Sequence, residues 1–196
     1  MKNDYCKTAH AVIDLETLGK RDDAVVLSIG LSMVTFNRDI GGFKVDGTAY
    51  FDLTGTVFEQ LRMGRTIDQD TVAWWSDQAR DKAAAALKSS VTSLGSHGDM
   101  LASELNTNSH AMPIMLWGYS SGFDCNKLVS LFPKLPIKFW NHRCLRTLYD
   151  ALGLKIIRVG NIHHHAGDDA SDQAYAVADA LQTLYGAKLL STEYPE

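Results

Sequence analysis

Residues 11–19 read Ala-Val-Ile-Asp-Leu-Glu-Thr-Leu-Gly, and the rest of the sequence is interpreted from them. A largely apolar run from Ala9 to Ile13 ends in two carboxylates, Asp14 and Glu16, that are separated by one residue. Alternate residues of a strand point to the same face of a sheet. The segment therefore predicts a buried strand with two like charges side by side at its end. A bound divalent cation would relieve their repulsion, and Mg²⁺ prefers carboxylate ligands.

The composition is that of a globular protein, and we expect a single domain over residues 1–196. Apolar residues make up 45% of the chain and the formal net charge is −4, which excludes a general basic field for polyanions. Any nucleic-acid partner must therefore be held by a local patch or by metal ions. Three widely spaced cysteines indicate neither a disulfide framework nor a zinc knuckle. With no signal peptide and no membrane span in the sequence, we expect a cytoplasmic protein.

Hydrophobic patterning predicts an α/β fold in which helices cover a mixed sheet. Three strands joined by short turns come first, which favours an antiparallel meander, and a short buried strand follows later. The predicted strands cover 9–13, 24–36, 48–53 and 112–117. The predicted helices cover 57–63, 71–78 with Asp68 as a cap, 81–90, a segment around 101–105 that starts near Gly98, 123–132, 139–152 and 170–190.

Further carboxylates fall at points where they can converge on Asp14 and Glu16. Asp124 follows a short apolar strand and a Gly-containing turn, although an acidic residue is also common in the first turn of any helix. His164 stands five residues before Asp169, which opens the last predicted helix. A shift by one residue would instead pair His163 with Asp168.

Four carboxylates and one imidazole form a coherent chemical set. Two Mg²⁺ ions about 3.5–4 Å apart can clamp the attacking and leaving oxygens of a phosphodiester. A histidine titrates near neutrality and can accept a proton from the attacking water. The three consecutive histidines 163–165 also suggest zinc, but tetrahedral zinc sites usually take ligands that are spaced along the chain.

Three motifs together resemble the DEDDh subgroup of 3′-5′ exonucleases, which are DnaQ-like members of the ribonuclease H-like superfamily. Asp14-Leu15-Glu16-Thr17 resembles the first exonuclease motif, and Gly122-Phe123-Asp124 resembles the second. Residues 164–170 resemble the third, His-x-Ala-x-x-Asp-Ala. The resemblance is greatest to small stand-alone exonucleases of phages and bacteria. It implies a mixed five-stranded sheet, with three antiparallel strands followed by parallel ones, flanked by helices.

The resemblance also implies a role for each matching residue. Asp14, Glu16 and Asp169 would ligate a catalytic Mg²⁺ or Mn²⁺, and Asp14 and Asp124 would hold a second ion. His164 would be the general base. The implied or inferred substrate-binding residues are Leu15, Thr17, Leu18, Trp74, Trp75, Gln78, Arg143 and Arg146. Core packing is the alternative for the two tryptophans, as surface ion pairing is for the two arginines.

We therefore predict a metal-dependent 3′-5′ exonuclease that releases nucleoside 5′-monophosphates from single-stranded or frayed 3′ ends. DNA and RNA both remain open as substrates, as does a homodimer, and a phage or prophage origin would place the protein in the host cytoplasm. Two alternatives are kept. One is a non-catalytic nucleic-acid- or protein-binding module on the same fold, and the other is a zinc hydrolase that uses the histidine run.

Overall fold

Strand β1 (Ala9–Thr17) is the central element of the fold. The computed structural model describes residues 5–78, 92–155 and 164–192. β1 pairs antiparallel with β2 (Val26–Asn37) on one side and parallel with β4 (Ile114–Gly118) on the other. Its first five residues are buried, as expected for an inner strand that is covered on both faces.

Two outer strands complete the sheet. β3 (Gly42–Asp52) pairs antiparallel with β2, and β5 (His142–Cys144) pairs parallel with β4. Over the described residues the strand order is β3-β2-β1-β4-β5. This is a mixed five-stranded sheet with an antiparallel half and a parallel half, and it confirms the predicted α/β fold class.

Helices cover both faces of the sheet. The described α-helices are α1 (Val57–Arg62), α2 (Gln69–Gln78), α3 (Leu94–Ser109), α4 (Asp124–Leu131), α5 (Leu145–Leu152) and α6 (Ala166–Thr192). Apolar residues of α3 and α4 form one hydrophobic core with the sheet, and those of α5 and α6 form a second one. None of the described helices is both long and apolar enough to span a membrane.

Side chains of β1 alternate between the two faces of the sheet, and this alternation determines which helices Asp14 and Glu16 face. Ala11, Ile13 and Leu15 belong to the core beneath α3 and α4, whereas Val12 belongs to the core beneath α5 and α6. Side chains two residues apart share a face. Asp14 and Glu16 therefore continue the face of Val12 and lie on the side that α6 covers.

Gly30 lets the first turn of α6 sit directly on the sheet. It lies opposite Asp14 in the β1–β2 ladder. A Cβ at this position would overlap the carbonyl oxygen of Ala166, at the start of α6. The absence of a side chain thus brings the N-terminal turn of α6 against the backbone of β2, next to Asp14.

The helix predicted over 139–152 was wrong in its first half. Residues Phe139–Asn141 form a single 3-10 turn and His142–Cys144 form β5, so α5 begins only at Leu145. Phe139 and Trp140 are exposed, whereas Leu145 and Tyr149 are buried. The predicted helix therefore joined exposed aromatic residues to the buried face of a helix that begins only at Leu145.

Other differences concern the ends of elements. β3 begins at Gly42 rather than near Thr48, because an outer strand whose residues are almost all exposed or half-buried gives little hydrophobic signal. α3 begins at Leu94, where the Ser93 hydroxyl accepts a hydrogen bond from the Ser96 amide as an N-cap. The helix predicted over 81–90 lies outside the described residues.

The close approach at Gly30 predicts a specific destabilisation. Gly30→Ala should lower the free energy of unfolding by about 1–3 kcal/mol, because the added methyl group forces α6 away from β2. Thermal or urea unfolding measures the change. Gly95→Ala is the control. It lies inside α3, and among the described residues only the Ser93 hydroxyl, at 3.9 Å, is near its Cβ position, so the change should be neutral or slightly stabilising. Equal stabilities of Gly30→Ala and the wild type would contradict the packing.

Candidate active site

Three carboxylates from two elements meet at the end of β1. Asp14 and Glu16 project from β1, and Asp169 projects from the first turn of α6. Each offers one oxygen, and the three oxygens lie within 4.8 Å of one another. All three residues are half-buried, so the cluster faces an opening rather than a closed core.

Asp124 is buried beside this cluster at the start of α4, with only 4% of its surface exposed. It packs against the end of β4, where a Cβ at Gly118 would lie 2.7 Å from the Asp124 Cβ. The Ser120 amide donates a hydrogen bond to its Oδ2 over 3.3 Å. Burial, and next the negative charge of Asp14, raise the pKa of Asp124 to about 8. Asp124 is therefore held where a negative charge is unfavourable unless a cation is nearby.

The donor set fits a hard divalent cation. Its ligand atoms are carboxylate oxygens, which suit Mg²⁺ and Mn²⁺. No histidine or cysteine joins the described cluster, as a zinc site would favour. His164 and His165 contact different aromatic residues, so the described part of the histidine run does not converge on one ion.

A cleft of about 680 Å³ opens over the carboxylates. One wall is aromatic: Trp74 and Trp75 of α2 pack edge to face with ring centroids 5.0 Å apart. The Trp75 indole N–H donates to the Thr17 carbonyl over 3.0 Å and so fixes α2 to the end of β1. Trp74 is 38% exposed and presents ring surface to the cleft. Other lining residues are Lys20, Asp70, Thr71, Tyr119, Phe123 and Arg146.

Only some of the other residues expected to bind substrate line the cleft. Leu15 and Thr17 line the cleft, and the Thr17 hydroxyl donates to the Gly19 carbonyl over 2.8 Å. Leu18 does not line it, although its amide ties the chain to the Val25 carbonyl. Gln78 is the last residue of α2, and its side chain lies outside what the structure describes.

The two arginines differ in the same way. Arg146 lines the cleft, and its guanidinium carbon lies 4.7 Å from the centroid of the Tyr119 ring. Arg143 does not line it, since its Nη1 donates to the carbonyl oxygens of Trp140 and His142, each over 2.8 Å. Of these two arginines, only Arg146 therefore lines the cleft.

His164 overhangs the cleft from the loop before α6. Its ring packs edge to face on Trp74, with the centroids 4.7 Å apart. Its φ angle of 62° is in the left-handed region, which non-glycine residues seldom adopt. Such conformations persist where the surrounding structure imposes them, often at functional sites.

Asp168 and Asp169, the two candidate aspartates of the third motif, have different neighbours. His165 stacks on Tyr50 of β3 at 4.6 Å, and its Nδ1 lies 3.3 Å from both the amide and a carboxylate oxygen of Asp168. Asp168 is thereby engaged with His165, while Asp169 points into the carboxylate cluster. His163, the alternative base, lies outside the described residues.

Comparison with known proteins identifies the family of this chain. Residues 9–181 match a protein family described as the 3'-5' exoribonuclease Rv2179c-like domain. The chain belongs to this family. Membership confirms that the motifs indicated an exonuclease-type domain. A comparison with curated proteins finds no match.

A solved structure also resembles this exoribonuclease-like domain. The crystal structure of cell-death related nuclease 4 (CRN-4) matches with a TM-score of 0.45 at 12% identity. The alignment covers 91% of this chain and 64% of that chain, so this chain spans less than two-thirds of that nuclease's length.

Two residues around the site of this exoribonuclease-like domain were missed by motif reasoning. Gln173 donates from Nε2 to Asp14 Oδ1 over 2.7 Å, and only its position one helical turn after Asp169 signals it. Lys127 is fully buried behind the cleft, where its ammonium donates to the Lys20 carbonyl over 2.9 Å. The same ammonium lies 3.3 Å from the centroid of the Phe123 ring. Lys127 thus ties α4 to the loop after β1.

The raised pKa of Asp124 predicts that the metal-free domain loses folding stability as the pH rises. Between about pH 4 and pH 8 the unfolded chain releases this proton while the folded chain keeps it, so stability from this group falls as pH rises. Asp124→Asn cannot ionise and should be more stable than the wild type at pH 8 by ~1–3 kcal/mol, but close to it at pH 4. Thermal unfolding in EDTA measures the difference.

Added Mg²⁺ is the control for the Asp124→Asn comparison. The ion should stabilise the wild type at pH 8 more than the variant, because only the wild type keeps the carboxylate. A variant that is less stable than the wild type at both pH values in EDTA would contradict the buried, proton-retaining Asp124.

Proposed function

We propose that this protein is a metal-dependent 3′-5′ exonuclease of the DEDDh subgroup, related to the small stand-alone enzymes of phages and bacteria. It hydrolyses the last phosphodiester bond of a single-stranded or frayed 3′ end and releases a nucleoside 5′-monophosphate. The observation that carries the proposal is the convergence of Asp14, Glu16 and Asp169, with Asp124 beside them, in a cleft of a chain from an exoribonuclease-like family. We also propose one catalytic domain over residues 1–196.

The carboxylates would hold two Mg²⁺ or Mn²⁺ ions. Asp14, Glu16 and Asp169 would bind one ion, while Asp14 and Asp124 would bind the other. Bound there, the ions would neutralise the charge that develops on the phosphodiester oxygens. The protein's contribution is a fixed set of acidic side chains, two on a strand and two on the first turns of helices.

His164 would accept the proton of the attacking water. Its ring lies against Trp74 at the mouth of the cleft, and its backbone is fixed in the left-handed region. General bases of this kind contribute roughly 10²–10⁴-fold to a rate. The position at the edge of the cleft allows the imidazole to return its proton to solvent after each turnover.

The aromatic wall would receive the terminal nucleotide. Trp74 offers a half-exposed ring on which any base can stack, which suits an enzyme that removes successive nucleotides without sequence preference. Arg146 and Lys20 line the same cleft and would contact phosphate groups of the substrate strand. The family's description favours RNA as the substrate class.

A matched pair of aspartate variants tests the metal site and the register together. Asp169→Asn should reduce degradation of a 5′-labelled RNA by more than the roughly 10–100-fold that loss of an outer-shell partner costs. Asp168→Asn should stay within a few-fold of the wild type, because Asp168 faces His165. The assay uses Mg²⁺ or Mn²⁺ and includes 3′-labelled RNA and matched DNA strands.

The same assay separates the proposal from its alternatives. Mononucleotide released from the 3′-labelled end at the first time point indicates 3′-5′ direction. Tight binding of oligonucleotides without hydrolysis would refute the enzyme and support a binding module. Full activity of Asp169→Asn would remove the metal mechanism as stated.

If His164 is the general base, its loss should slow turnover without weakening metal binding. His164→Asn retains a residue that tolerates the left-handed backbone but removes the imidazole. Turnover should fall by roughly 10²–10⁴-fold, while Mn²⁺ affinity measured by calorimetry should stay within about twofold. Equal losses of metal affinity and turnover would show that His164 supports the metal site rather than acting as a base.

A further inference from the structure

Gln173 contacts the acidic cluster without belonging to its carboxylates. It lies on α6, four residues after Asp169, and is 8% exposed. Its Nε2 donates a hydrogen bond of 2.7 Å to Asp14 Oδ1. Asp14 is the central carboxylate of the site, because it neighbours Glu16 and Asp169 and also raises the pKa of Asp124.

The other end of the Gln173 amide is unsatisfied. Its Oε1 is buried and has no hydrogen-bond partner among the residues that the structure describes. A buried acceptor without a partner destabilises a fold, whereas an apolar side chain of the same size would avoid that cost. The contribution of Gln173 therefore lies at its N–H end, on Asp14.

A hydrogen bond at this place determines the rotation of the carboxylate. Asp14 is crowded by the like charges of Glu16 and Asp169. Without a donor on Oδ1, repulsion favours rotation of the carboxylate away from its neighbours. With the donor in place, Oδ1 is engaged by α6 and the carboxylate plane is fixed toward the shared space. Partners of this kind typically change metal affinity or activity by 10–100-fold when they are removed.

We propose that Gln173 is a positioning residue for the metal centre. It orients Asp14 through its side-chain N–H and couples the first two turns of α6 to the end of β1. Asp169 would supply a metal ligand from one turn of the helix, and Gln173 would set the orientation of a second ligand from the next turn. This inference rests on the metal site of the proposed function, but not on nuclease activity.

The test compares metal affinity with metal-free stability in Gln173→Met. This variant keeps the side-chain length, removes the N–H and removes the unsatisfied carbonyl. Mn²⁺ binding, measured by calorimetry or by the electron paramagnetic resonance of the free ion, should weaken by about 10–100-fold. The melting temperature in EDTA should equal or exceed that of the wild type.

Gln182→Met is the matched control. Gln182 lies on the same helix, but its Oε1 accepts a hydrogen bond from the Phe43 amide over 3.3 Å, away from the cleft. Its substitution should leave Mn²⁺ affinity unchanged. Gln173→Asn is the second variant: it retains an amide, but one methylene shorter, and should also lose Mn²⁺ affinity.

Two results would overturn the proposal. One is Mn²⁺ affinity within twofold of the wild type in either folded variant. The other is a lower melting temperature in EDTA with unchanged Mn²⁺ affinity, which would assign Gln173 a structural role only. A wild-type protein that binds Mn²⁺ but degrades no oligonucleotide would refute the nuclease, and the binding comparison would still decide the role of Gln173.

Discussion

The confinement of negative charge at the end of β1 is the constraint on which the rest of the structure depends. Asp14, Glu16 and Asp169 place oxygens within 4.8 Å of one another. Two unit charges about 4 Å apart repel by roughly 4 kcal/mol at the effective dielectric constant of a protein surface. A single hydrogen bond can orient one of these carboxylates, but it does not offset a repulsion of that size. The surrounding elements must therefore hold the carboxylates in place until a cation neutralises them.

Close backbone contacts bring together the elements that carry these carboxylates. Gly30 allows the first turn of α6 to rest on β2 beside Asp14, and Gly118 allows Asp124 to rest on the end of β4. The two-residue period of β1 places Asp14 and Glu16 on the face that α6 covers. A slip of one residue would turn both carboxylates toward the opposite core. Fold and site therefore depend on the same register.

The sequence predicted the parts of the protein that follow a strong period or a complete motif. The strand that carries Asp14 and Glu16 was predicted from its apolar run. Their meeting with Asp169 was predicted from its place at the start of the last helix and from the resemblance of three motifs. β5 was missed because three half-buried residues carry no period of their own. The hydrogen bonds from the Arg143 guanidinium to local carbonyl groups follow from no spacing in the sequence. Gln173 was missed because it belongs to no motif.

The buried polar groups on and beside β1 differ in whether their hydrogen bonds and charges are satisfied. His10 is fully buried on β1, and both its ring nitrogens have partners, Thr8 and the Trp117 indole. Such a satisfied group stabilises the sheet and requires nothing else. Asp124 and Gln173 differ, since one is a carboxyl whose charge is disfavoured and the other is an amide with an unpaired carbonyl among the described residues. Gln173 contacts Asp14 directly, and the charge of Asp14 raises the pKa of Asp124. A cation bound at Asp14 would stabilise the negative charge there. Two groups that are unfavourable in the metal-free domain therefore lie beside the carboxylates at which we propose that metal binds.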